Sequence, residues 1–161
     1  MPECSKVVAC RFGSQADVPL LAEMNERLIR DEGHRCGLTQ ESLEPRMSRW
    51  LGSGYTAVIF SVDDKTAGYA LWRSEPEHIY LRQFYVEPEF RRKGIGESGV
   101  RWLINNAWND AERLRLDVLV SNGTAYKFWS SIGFEDYCIT MELEIADRSN
   151  DAEFNCTRDL R

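Results

Sequence analysis

The sequence holds only two histidines, His34 and His78, and its five cysteines are odd in number and scattered, with no Cys-x-x-Cys pair. Such usage argues against both a disulfide framework and a zinc site, so no metal is expected and each cysteine reads as a small core or surface residue. No apolar run approaches the roughly 20 residues needed to cross a bilayer. The opening Met1-Pro2-Glu3-Cys4-Ser5 lacks the basic and apolar regions of a secretion signal, so a cytoplasmic protein with no membrane partner is expected. Positive charge is also in deficit, with 20 basic against 26 acidic residues and a formal net charge of −6. Affinity for nucleic acid rests on neutralising phosphates, which makes nucleic acid a poor partner here. A cationic, amine-bearing small molecule would be attracted instead.

What is present fits one soluble domain spanning residues 1–161, with 43% apolar and 29% charged residues and length enough to bury a core without staples. Residues 5–12 predict a first strand. Asp17 then stands as a helix N-cap, with Pro19 in the first turn, and Leu21, Met24 and Leu28 share one face until Gly33. A second helix has Ser42 as its expected cap and Leu43, Met47, Trp50 and Leu51 as its stripe. Strands at 55–62 and 66–73 flank an Asp63-Asp64-Lys65 turn, and a longer strand covers about 79–86. Val100, Leu103, Ile104, Ala107 and Trp108 line the next helix. Leu114, Leu116, Val118 and Val120 alternate as a strand whose other side is partly polar. Residues 122–132 predict a short helix, 134–145 a closing strand, and about 147–161 a polar tail. The order β-α-α-β-β-β-α-β-α-β gives an α/β fold with a mixed, mostly antiparallel sheet flanked by helices.

Most of the chemistry lies in Phe84-Tyr85-Val86-Glu87-Pro88-Glu89-Phe90-Arg91-Arg92-Lys93-Gly94-Ile95-Gly96. An apolar strand, a Pro-containing turn and three consecutive cations precede a Gly-x-Gly that opens a helix. Backbone N–H groups, a helix N-terminus and fixed positive charge converge there, which suits phosphate. Gly94-Ile95-Gly96-Glu97-Ser98-Gly99 also matches Gly-x-Gly-x-x-Gly. A dinucleotide fold, however, wants its first glycine at the strand end, and here a charged turn intervenes. Its ribose-binding acid would have to be Asp117, inside a strand. A Walker-type loop fails for want of Gly-Lys-Ser/Thr. Close helix packing explains Gly99 but not the cations, which oppose the positive end of the helix dipole unless an anion intervenes.

With these residues the chain resembles the GNAT superfamily of acyl-CoA-dependent N-acyltransferases. The hallmark Arg/Gln-x-x-Gly-x-Gly/Ala is met by Arg91, Gly94 and Gly96, and Asn-x-x-Ala followed by Gly-Phe is met by Asn122, Ala125, Gly133 and Phe134. The resemblance implies a GNAT-like sheet with a splayed strand pair and acetyl-CoA as cosubstrate. It implies that the amides of Arg91, Arg92, Lys93, Gly94, Ile95 and Gly96 hold the pyrophosphate, with Arg92 and Lys93 meeting the other phosphate. The strand through Phe84, Tyr85 and Val86 would offer unpaired amides to the pantetheine arm, and Asn122 would line the opposite wall. It also implies transfer of an acetyl group to a primary amine, with a homodimer as a common assembly.

Two positions depart from the family. Where many members carry a tyrosine that protonates the departing thiolate, this chain has Trp129, whose indole cannot act as an acid. Tyr126, one turn earlier on nearly the same face, is the candidate substitute or else an aromatic packed on the cofactor or core. The resemblance has Asn122, Tyr126 and Trp129 flank the thiol end of the cofactor. The central-strand glutamate that some members use as a base is also absent from Tyr80-Leu81-Arg82-Gln83. An alkylamine of pKa about 10.4 is neutral in roughly one molecule in a thousand at pH 7, whereas a thiol of about 8.5 is a tolerable leaving group. Deprotonating the acceptor is therefore the larger task, and Glu32 and His34, between the first two helices, are the candidate bases. The expected function is N-acetylation of a small-molecule amine by direct attack in a ternary complex. A non-catalytic acyl-CoA-binding module is the alternative.

Overall fold

The computed structural model describes residues 8–33, 38–143 and 145. One sheet carries five strands in sequential order: β1 (Ala9–Phe12), β2 (Tyr55–Val62), β3 (Lys65–Ser74), β4 (Ile79–Val86) and β5 (Leu114–Arg115). β1 to β4 are antiparallel neighbours, and β5 alone runs parallel to β4. Helices α1 (Val18–Glu32) and α2 (Gln40–Gly52) pack on one face, α3 (Ile95–Asn106) and α4 (Gly123–Ile132) on the other. Among the described residues no helix is long and apolar enough to cross a membrane.

β2 is buried on both sides, which is why Ala57-Val58-Ile59-Phe60 is continuously apolar. Val58 and Phe60 meet Ile95, Val100 and Leu103 of α3, while Ala57 and Ile59 meet Leu21, Met24 and Met47. Asp63 and Asp64 both take positive φ, 51° and 61°, in a two-residue hairpin turn whose twist matches the strands it joins. Gly68 is forced by close approach: a Cβ there would lie 2.0 Å from the Tyr85 carbonyl oxygen. At the start of α1, Asp17 accepts from the Ser14 amide and pairs with Arg11, and that partner holds its carboxyl down to about 2.

The strand β4 contains the irregularity that shapes the molecule. Leu71 faces Gln83 and Trp72 faces Leu81, so Arg82 is an extra residue in the ladder. Ile79, Leu81 and Phe84 pack toward α3 and α4, while Gln83 reaches Asn25 of α1 and Arg82 reaches Tyr55. The bulge therefore sets Arg82 and Gln83 side by side on the α1–α2 face.

Several expectations need correction. The cap of α2 is Thr39, and Ser42 instead closes the capping box by accepting from the Thr39 amide. The strand after α3 keeps only Leu114–Arg115 in the ladder, and the helix expected at 122–132 begins at Gly123 with Asn122 as its cap. Residues 134–143 form no ladder, so the closing strand is absent from the sheet of the described residues; Tyr137, Ile139, Met141 and Leu143 are exposed. Of the first strand, residues 5–7 lie outside the described residues, as do His34 and the tail at 147–161.

Candidate active site

A short 3₁₀ turn (Pro88–Phe90) follows β4, and the backbone then alternates in hand toward α3: Arg91 is extended, Arg92 left-handed at φ 60°, and Gly94 left-handed at φ 75°. Residues that alternate in this way turn successive N–H groups inward, forming an anion-binding nest. Among the described residues, none of the backbone N–H groups at 92–97 finds an acceptor. The open donors at 95–97 are those of the helix N-terminus, so nest and dipole act together.

The three cations of this turn have different duties. Arg91 donates from Nε to the Val86 carbonyl (2.7 Å) and from Nη2 to Asp31 (2.5 Å), and stacks over Tyr85. It ties the turn to the end of α1. Arg27 makes a second tie to Glu87 at 2.5 Å, and that carboxylate also accepts from the Tyr85 hydroxyl. Burial, then Glu87, push Tyr85 up to about 12, so its hydroxyl stays a donor. Lys93 bonds the Glu89 carbonyl, whereas Arg92 is exposed and has no side-chain partner among the described residues. Ile95 is buried, and Gly96 sits so close to α4 that a Cβ would lie 3.1 Å from the Phe128 ring.

Beside the turn, β4 and β5 part. Ile79 pairs with Leu114 and Tyr80 with Arg115, and no pair follows. The Ile79 amide points to β5, toward the Arg113 carbonyl, and the Glu87 amide points to β3, toward the Ala67 carbonyl. Alternation back from Glu87 turns the amides of Phe84 and Val86 into the splay, where they meet no strand. On the α3–α4 side the splay is walled by aromatic rings. Phe84 stacks on Phe128 at 5.9 Å and meets Trp129 edge-on at 5.2 Å, and Trp129 also meets Phe134. Trp129 is thus 8% exposed and part of the core. Asn122 caps α4 by accepting from the Ala125 amide at 3.1 Å, which is the physical content of the Asn-x-x-Ala spacing. Tyr126 is 50% exposed, its hydroxyl 3.5 Å from Asp136.

The α1–α2 side is polar. The Tyr80 hydroxyl crosses the splay to donate to Asp117 at 2.8 Å; burial, and then that carboxylate, raise the phenol far above its ordinary value. Arg82 donates to the Tyr55 hydroxyl at 3.2 Å and lies 4.6 Å over Trp50, a ring that Arg46 also covers at 4.4 Å. Arg73 lies over both Tyr55 and Tyr80 and pairs with Glu75. Behind them Tyr69 donates to Gln83, and Gln83 to the buried Asn25, both at 2.8 Å. Glu32 sits half-buried in the last turn of α1, where its charge raises the pKa of the buried Tyr69 beyond the effect of burial alone. Asp117 and Arg82 were not singled out for these roles from sequence. The signal was the polar side of the alternation at 114–120.

A mixed sheet that splays beside a cationic, amide-lined turn is the architecture of the N-acyltransferase class. The chain belongs to the acetyltransferase (GNAT) family, whose profile matches residues 21–134. It is 28% identical over 89 residues to a [ribosomal protein bS18]-alanine N-acetyltransferase of Salmonella typhimurium, covering 55% of this chain and 60% of that protein. It is 32% identical over 84 residues to a thialysine N-epsilon-acetyltransferase of Bos taurus, covering 52% of this chain and 44% of that one. The chain thus spans about half the length of these curated relatives. An aminoglycoside N-acetyltransferase solved in complex with CoA superposes with TM-score 0.70 at 13% identity, over 91% of this chain and 100% of that one.

Proposed function

We propose that the protein is an N-acetyltransferase that moves the acetyl group of acetyl-CoA to a primary amine of a small molecule. The observation that carries this reading is the run of N–H groups at 92–97 without acceptors, at the N-terminus of α3 and beside the unpaired edge of β4. Diphosphate suits the nest and the helix end, with Arg92 adding charge. The amides of Phe84 and Val86 suit a peptide-like arm, which would add to the sheet as another strand. The relatives' names, a [ribosomal protein bS18]-alanine N-acetyltransferase and a thialysine N-epsilon-acetyltransferase, and a structural neighbour holding CoA support acetyl transfer to an amine, the first of them naming a protein as acceptor.

In this reading the thioester lies at the splay with its carbonyl oxygen on the Phe84 amide, a donor preorganised for the oxyanion. The acceptor approaches from the α1–α2 side. Asp117, oriented by Tyr80, takes the proton of the ammonium and leaves a neutral amine. Its nitrogen attacks the carbonyl carbon, the C–S bond breaks, the thiolate leaves with its electron pair, and the nitrogen sheds its second proton to solvent. Tyr126, exposed on α4, is our candidate for returning a proton to sulfur. Asp117 replaces Glu32 and His34 as our preferred base because it stands across the splay itself.

Calorimetry with acetyl-CoA, followed by a thiol-release assay over a panel of amines, tests this. Micromolar binding and amine-dependent thiol release are expected. No association would overturn the proposal, while association without turnover on any amine would favour the non-catalytic acyl-CoA-binding module.

A further inference from the structure

We infer that the acceptor carries a carboxylate as well as its amine, and that Arg82 binds that carboxylate. The inference rests on the acetyltransferase reading and gives it a substrate class. Along β4 the residues facing α1 and α2 are Tyr80 and, because of the bulge, the adjacent pair Arg82 and Gln83. Tyr80 holds the carboxylate of Asp117 across the splay. Arg82 stands two residues further along, roughly 7 Å by strand rise. An anion and a cation therefore flank the opening on the acceptor side. That matches a zwitterion whose ammonium meets Asp117 and whose carboxylate meets the guanidinium.

The arginine is held for such a contact. Trp50 at 4.6 Å and Tyr55 at 5.7 Å stack on it, and the Tyr55 hydroxyl accepts one of its N–H groups at 3.2 Å. These contacts fix the plane of the fork, and a fixed planar fork recognises carboxylate with little further loss of side-chain freedom. Two further guanidinium groups lie close by, one of them paired with Glu75. Arg46 covers Trp50 and Arg73 covers Tyr55, so three guanidinium groups gather on two rings in a chain whose formal net charge is −6. A polycationic acceptor would meet like charge here, which costs affinity, whereas an anionic group is drawn in.

Matched acceptors test the inference on the wild-type protein: L-phenylalanine against phenethylamine, and β-alanine against β-alaninamide, with O-phosphoethanolamine to separate phosphate from carboxylate. The carboxylate member of each pair is expected to have a kcat/KM about tenfold or more higher, mainly through KM. Arg82→Gln is expected to bring that ratio near one, and Arg82→Lys to keep part of it, with acetyl-CoA affinity unchanged in both. Equal or better turnover of the carboxylate-free partners, or of the phosphate compound over both carboxylates, overturns the inference and leaves the acetyltransferase reading standing. A ratio that survives Arg82→Gln overturns the assignment of Arg82. Absence of acetyl-CoA binding overturns both readings together. The wild-type comparison decides even where a variant fails to fold.

Discussion

The two faces of β4 are built on different principles. Toward α3 and α4 the strand presents Leu81 and Phe84 to a wall of rings and helix backbone, with its own amides open at the splay. Toward α1 and α2 it presents Tyr80, Arg82 and Gln83 to charged and hydrogen-bonding partners drawn from α1, β2, β3 and the segment after β5. The first face offers backbone groups and apolar surface, which suit a donor shared by every member of a family. The second offers side chains, which suit an acceptor particular to one protein. Chemistry common to a family can rest on main chain and glycine, while selectivity needs side chains held in tertiary contact.

The harshest way to break this division is to remove the close approach that both faces depend on. Gly68→Ala would place a methyl 2.0 Å from the Tyr85 oxygen, and a loss of about 3 kcal/mol or more is expected. In a domain of this size that lowers Tm by roughly 6–12 °C, measurable by thermal melting. Asp117→Asn should separate the faces cleanly, lowering kcat/KM about 100-fold or more in thiol release while calorimetric affinity for acetyl-CoA stays unchanged. Arg92→Ala should do the reverse, weakening acetyl-CoA about threefold to tenfold, less at high salt, with amine KM untouched. The smallest effect belongs to a carboxylate outside both faces. Asp17 is held at about 2, below its usual value, so its stabilisation is complete above about pH 4 and is lost as pH falls from about 4 toward 2. Asp17→Asn should cost about 0.5 kcal/mol at pH 7, since Arg11 is itself exposed, and still less near pH 2, as read from urea midpoints.

Much of the first face was legible in the sequence because its signals are local. The span of β4, the glycines of the turn, the cations before α3 and the Asn-x-x-Ala cap all act within a few residues of themselves. The second face was legible only in part. Tyr80 and Asp117 are 37 residues apart, and nothing in the alternation at 114–120 says which strand lies opposite. Arg82 reads as an ordinary polar position until the register reveals the extra residue. Thr39 took the cap expected of Ser42 because both belong to one capping box, whose two members look alike in sequence. The alternation of Tyr137, Ile139, Met141 and Leu143 marks extended chain, but a strand exists only when a neighbour pairs with it, and the neighbour is not written in the pattern.

A half-step in the pleat at Arg82 also makes the two ends of one strand separately adjustable. In the proposed reading, exchanges at position 80 and at the bulge residue 82 would redirect which acceptor is chosen. Downstream, in that same reading, the segment from Phe84 to Val86 would keep its contacts with acetyl-CoA. A strand of unbroken pleat would have coupled the two properties, so that diversifying one eroded the other. If the proposed reading holds, the single supernumerary residue would let acceptor preference be altered without disturbing the donor's contacts.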